Sequence, residues 1–99
     1  MEIQIQSIHF TADSKLIGFV NEKVGKLSHF YDGIISSEIF LRLDNSDNST
    51  NKVAEIKINV PGNDLYVKRQ CKTFEEAIDT GIVALSKQVK RYKEKQKGL

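Results

Sequence analysis

Tryptophan is absent, and cysteine, methionine and proline occur once each. The lone cysteine, Cys71, excludes an internal disulfide and points to a reducing, cytosolic setting. The lone proline, Pro61, leaves no Pro-rich linker, and no repeat or low-complexity tract divides the chain. No apolar run approaches the roughly 20 residues that cross a bilayer. The start, MEIQIQSIHF, has neither a basic segment nor an apolar one and does not read as a signal peptide. There is no glycine-rich phosphate loop. His9, His29 and Cys71 have no partner at catalytic or metal-ligand spacing, so neither an enzyme nor a cofactor nor a small-molecule substrate is expected. Asp44, Ser46, Asn48 and Glu55 fall at calcium-loop positions, but Ser49 replaces the required glycine and strands flank the loop.

What remains is an ordinary globular composition in 99 residues, 39% hydrophobic and 28% charged, enough for one domain spanning 1–99. The net charge of +2 hides an asymmetry. Residues 1–86 carry nine Lys and Arg against twelve Asp and Glu, net −3, whereas residues 87–99 carry six against one, net +5. Composition allows two readings of that basic end: attraction to a polyanion, or a solvated helix terminus that complements its own dipole.

Periodicity divides the chain into six elements. Residues 2–9 alternate, with Ile3 and Ile5 on one side and Glu2, Gln4 and Gln6 on the other, as a half-buried strand does. Thr11 or Asp13 can cap a helix to about Tyr31, with Leu16, Phe19, Val20, Val24, Leu27, Phe30 and Tyr31 spaced by threes and fours. Residues 34–43 alternate again, with Ile35, Ile39, Leu41 and Leu43 expected inward and only Ser37 breaking the pattern. Residues 53–60 turn Ala54, Ile56, Ile58 and Val60 inward and Val53 outward. After the turn Pro61-Gly62-Asn63-Asp64, residues 65–70 turn Leu65 and Val67 inward. Thr73-Phe74-Glu75-Glu76 is a capping box opening a last helix whose stripe is Phe74, Ile78, Ile82, Leu85, Val89 and Tyr92.

The order β-α-β-β-β-α, with one apolar face per strand and one stripe per helix, predicts an α+β fold. It is a four-stranded mixed sheet, its first two strands parallel through a right-handed crossover, with both helices on one face. Two surfaces could then meet a nucleic acid. On the open sheet face, Phe40 and Tyr66 stand among Arg42, Lys57 and Lys68. Glu38 and Glu55 share that face, so a cross-strand aromatic pair that stabilises the sheet is the reading favoured there. On the helical side, Lys87, Lys90, Arg91 and Lys95 spread over the polar arc of the last helix with Lys93 at its edge. Lys23 breaks the apolar stripe of the first helix. It reads either as a lysine snorkelling from the core rim or as a functional cation, and the second reading is favoured. With Lys26 beside it, Lys23 could border one basic groove with the last helix.

The element order, the segment FVNEKVGKLSHFYD (19–32), and FEEAID followed by KQVKRYKEKQK resemble the ribosome hibernation-promoting factors and the related ribosome-associated inhibitor, also known as the sigma-54 modulation protein family. The resemblance covers nearly the whole chain. It implies a double-stranded-RNA-binding-like βαβββα domain and a non-catalytic, cytoplasmic protein. That protein would sit in the mRNA and tRNA channel of the small ribosomal subunit and inhibit translation when growth stops, touching rRNA and neighbouring ribosomal proteins. By position, the resemblance marks Lys23, Lys26, Lys87, Arg91, Lys93, Lys95 and Lys97 as RNA-binding, with Lys90 an added charge. It departs from the family at Val83-Ala84, where a common Asp-Lys pair is missing and with it one expected phosphate contact. The length resembles the short form, which relies on a separate ribosome-dimerising factor. A generic double-stranded RNA-binding module is the alternative.

Overall fold

The computed structural model describes residues 1–45 and 49–96; Lys97, and Ser46 and Asn48 of the calcium-like spacing, lie outside them. The elements are β1 (Glu2–Ile8), α1 (Ser14–Gly25) continued by a 3-10 turn (Lys26–His29), β2 (Ser36–Leu43), β3 (Lys52–Val60), β4 (Asn63–Cys71) and α2 (Phe74–Gln96). The sheet order is β1-β2-β3-β4, with β1 parallel to β2 and the other pairs antiparallel. This is the α+β fold expected from the sequence.

Local chemistry sets the helix starts. The Asp13 carboxylate accepts from the Leu16 amide at 2.8 Å, and the Thr73 hydroxyl accepts from the Glu76 amide at 3.0 Å. Each bond satisfies an amide with no partner inside its helix. The helices then bury their stripes on one side of the sheet. Leu16, Val20, Val24 and Leu27, and Phe74, Ile78, Leu85 and Val89, close over Ile39, Leu41, Ile56, Ile58 and Val67. The helices run side by side in the same sense. Phe10 stacks on Phe74 at 5.0 Å near their starts, and Tyr31 meets Tyr92 edge-on at 5.8 Å near their ends. The Tyr92 hydroxyl also donates to the Pro61 carbonyl, which ties the end of α2 to the β3–β4 turn.

Three inward–outward assignments change. Ile35 is 60% exposed and Ile34 is buried instead, because regular pairing of β2 begins only at Ser36. Leu43 is 46% exposed, since β1 stops at Ile8, opposite Arg42, and leaves Leu43 without a neighbour on that side. Val53 faces the open side yet is buried. Gln70 stands opposite it and donates to the Thr50 carbonyl at 2.8 Å and the Asp44 carboxylate at 3.1 Å, closing the end of the sheet over Val53. Ser37 takes an inward position between Ile3 and Ile58 and is fully buried.

Two helical glycines differ in their surroundings. Nothing lies within 4 Å of where a Cβ would stand on Gly18, whereas a Cβ on Gly81 would meet Ile56 Cδ1 at 3.1 Å and Val67 Cγ1 at 3.4 Å. Gly81 thus lets α2 approach the sheet closely. Gly18→Ala should raise unfolding free energy by about 0.5–1 kcal/mol in urea melts. Gly81→Ala should gain clearly less or lose stability, because the same propensity gain is set against crowding of Ile56. Equal gains at both sites would contradict the close helix–sheet contact.

Candidate nucleic-acid interface

Once the apolar stripe of α2 is committed to the sheet, its cations can emerge only along the remaining arc, and they do so on two flanks. Lys87, Arg91 and Lys95, one turn apart, line hollows on the side of β4. Lys90 and Lys93 line a hollow of about 340 Å³ on the side of α1, together with His29, Phe30 and Glu94. The Lys90 ammonium stands 4.7 Å from the centre of the Phe30 ring, so the first helix's end positions a cation of the second.

Along α1, the 3-10 turn that continues it and the residue after that turn, Phe19, Lys23, Lys26 and Phe30 recur at spacings of four, three and four. Lys26 is exposed. Lys23 reaches across the seam: its ammonium is 3.4 Å from the Asp79 carboxylate and 5.4 Å from the centre of the Phe19 ring. The break in the stripe is thereby explained, because a cation at this position is anchored by an acid of the neighbouring helix. The pair is partly exposed, so its own worth is about 0.2–1 kcal/mol. The structure therefore does not gather all the predicted residues into one groove. Lys23 sits beside the first turns of α2, Lys90 and Lys93 at the seam's far end, and Lys87, Arg91 and Lys95 across the helix from both. Asp79 and Arg69, which also lines the β4-side hollow, were not legible as members of this surface. Asp79 looks like a dipole-complementing acid, and Arg69 like one more charge on an edge strand.

The open sheet face is organised differently. The expected aromatic pair is not there: β3 separates Phe40 from Tyr66, and the register sets Phe40 opposite Glu55 and Tyr66 opposite Lys57. Instead two of its three cations are neutralised within the face, and the third, Lys68, stands opposite Glu55 with no carboxylate within 4 Å among the described residues. Glu55 accepts hydrogen bonds from the Tyr66 hydroxyl and the Arg42 guanidinium. Lys57 lies 3.6 Å from Glu38 and 3.7 Å from Asp64. The Tyr66 hydrogen bond, with help from Arg42, holds the Glu55 carboxyl below the usual carboxylate range against the opposing effect of burial. The same bond to an anion pushes the Tyr66 phenol above its usual value. By contrast, among the described residues Lys26, Lys87, Lys90, Arg91, Lys93 and Lys95 have no carboxylate within 4 Å.

The chain is thus an α+β protein of βαβββα order, a mixed sheet with two helices on one face. The chain belongs to the family described as Sigma 54 modulation protein / S30EA ribosomal protein, whose model matches residues 3–97. It is 23% identical over 99 residues to a Pseudomonas putida protein named ribosome hibernation promoting factor, a match that covers 100% of this chain and 93% of that one. The N-terminal domain of Thermus thermophilus Protein Y superposes with a TM-score of 0.80 at 25% identity, covering 93% of this chain and 99% of that one. A Coxiella burnetii ribosomal subunit interface protein shares the fold, with a TM-score of 0.83 at 18% identity, covering 95% and 99%.

The Glu55–Tyr66 bond has a readable pH signature. The depressed Glu55 pKa contributes stability above the unfolded carboxyl value, and that contribution is lost as pH falls through the folded value. The raised Tyr66 pKa contributes stability below the ordinary phenol value of about 10, lost as pH rises through the folded value. Ultraviolet titration should therefore show Tyr66 ionising above the ordinary phenol value, and Glu55→Gln should bring it back toward that value. A late tyrosine that ignores Glu55→Gln would refute the assignment.

Proposed function

We propose that this chain is a non-catalytic cytoplasmic ribosome hibernation factor that binds rRNA of the small ribosomal subunit through its helical side. Lodged in the mRNA and tRNA channel, beside neighbouring ribosomal proteins, it excludes both ligands and silences translation under stress or in stationary phase. The observation that carries this reading is the contrast between the two faces. Of the open-face cations, Arg42 and Lys57 are neutralised within the sheet and Lys68 stands opposite Glu55, whereas the cations of α2 are left for an external anion. Family membership supplies the ribosomal context.

The mechanism is occlusion. Lysines and arginines displace counterions from phosphates, a contribution that depends on salt and ignores base sequence. Specificity then rests on shape: two helices fixed side by side present a rigid surface to one RNA-lined channel. No bond in the ribosome need change.

Binding to purified small subunits, measured by co-sedimentation, should fall with salt along a log–log slope of about −3 to −5, as expected if about five phosphates are neutralised. Lys87→Glu with Arg91→Glu should weaken binding at least about tenfold, since repulsion replaces two charge-assisted contacts. Phe40→Ala and Tyr66→Ala should lower the melting temperature and leave affinity nearly unchanged. A flat salt response, equal competition by plain duplex RNA, or aromatic variants that lose affinity at unchanged stability would each overturn the proposal.

A further inference from the structure

We propose that the groove between α2 and the edge strand β4 is a binding site for one strand of phosphodiester backbone, and that Arg69 is the residue that completes it. The proposal rests on the ribosomal reading and adds a site and a residue to it. Arg69 lies on the helix side of β4, opposite Ala54, and its stem passes Gly81, where a Cβ would stand 3.8 Å from Arg69 Cγ. Arg69 lines a hollow of about 440 Å³ together with Lys87 and Arg91 and, about one turn before Lys87 on α2, Val83 and Ala84. One guanidinium nitrogen donates to the Lys68 carbonyl at 3.0 Å, which steadies the group and leaves further donors for a ligand. A second hollow of about 270 Å³ shares Gln88 and Arg91 and carries the groove on to Lys95.

The occupant is set by charge and by the state of the edge strand. Among the described residues no carboxylate lines either hollow, and none of Arg69, Lys87, Arg91 and Lys95 has one within 4 Å. Cations at Lys87, Arg91 and Lys95 repeat about every 6 Å along the helix, a ladder suited to a polyanion lying parallel to it. The exposed Val83, 58% accessible, gives the groove an apolar patch for a ribose or base face. An acidic peptide adding to β4 is disfavoured, because the edge is already blunted. The Tyr66 carbonyl accepts from the Gln88 side chain at 3.2 Å, and the Lys68 carbonyl is taken by Arg69. With Lys90 and Lys93 on its other flank, α2 becomes a ridge between two backbone segments, and the cation that the helix lacks at Val83 and Ala84 comes from the strand.

The test is affinity for purified small ribosomal subunits across a salt series, using the whole chain. Arg69→Gln keeps the stem that packs by Gly81 and removes the charge; its melting temperature should match wild type. Its affinity should fall about 5- to 10-fold, and its salt slope should become shallower by about 0.7–0.9, the loss of one phosphate contact. Arg69→Lys should recover most of the slope, and Lys68→Gln, one residue away on the open face, should change neither. An Arg69→Gln chain that binds within about twofold of wild type at unchanged slope, while Lys90→Gln weakens binding, would overturn the groove and leave the ribosomal reading intact. Arg69-dependent capture of polyglutamate in preference to RNA would make the groove a protein-docking surface and also overturn the proposal. Failure of the wild-type chain to bind subunits would overturn both readings.

Discussion

The helical side depends on one constraint: α2 must keep its apolar stripe, from Phe74 to Tyr92, buried against the sheet over about five turns. That burial fixes the helix's rotation about its axis, and rotation decides where every cation points. Gly81 lets the helix approach closely in its middle, and Tyr92, bonded to the Pro61 carbonyl and packed on Tyr31, pins its end. The basic end is therefore held to the sheet up to Tyr92. A rigid array of cations can discriminate by shape, whereas a flexible basic tail would bind any polyanion alike.

The two faces of the sheet divide stability from recognition. On the open side, Arg42 and Tyr66 bond Glu55 while Lys57 pairs with Glu38 and Asp64 across three strands, which leaves Lys68, opposite Glu55, as the cation there with no carboxylate within 4 Å among the described residues. On the helical side, the Lys23–Asp79 pair is the one ion pair found between the helices among the described residues, and it lies at the acidic start of α2. Towards the other end of that helix, among the described residues, no carboxylate lies within 4 Å of Lys87, Lys90, Arg91, Lys93 or Lys95. The charge asymmetry along the chain becomes an asymmetry in space because α2 is continuous from its acidic first turn to its basic last one.

Much of this was legible beforehand. Element order, caps and core followed from alternation in the strands, threes and fours in the helices, and the Thr73–Glu76 box, all of which are local signals. The parallel β1–β2 pair followed from the helix that must cross between them. Less legible was whatever depends on register across several strands. Phe40 and Tyr66 look like a pair until β3 is placed between them, and Val53 looks exposed until Gln70 folds over it. The cations of α2 were visible as a group, but their division into two flanks, the tether of Lys23 to Asp79 and the arrival of Arg69 from β4 are tertiary contacts without a periodic signature.

The central claim is that the helical side, and not the open sheet face, meets the ribosome. Lysine acetylation read residue by residue by mass spectrometry, with the chain free and bound to small ribosomal subunits, tests it directly. The account predicts that Lys26, Lys87, Lys90, Lys93 and Lys95 are protected on binding while Lys57 and Lys68 react as they do in the free chain. Protection of Lys57 and Lys68 with the α2 lysines still reactive would contradict it.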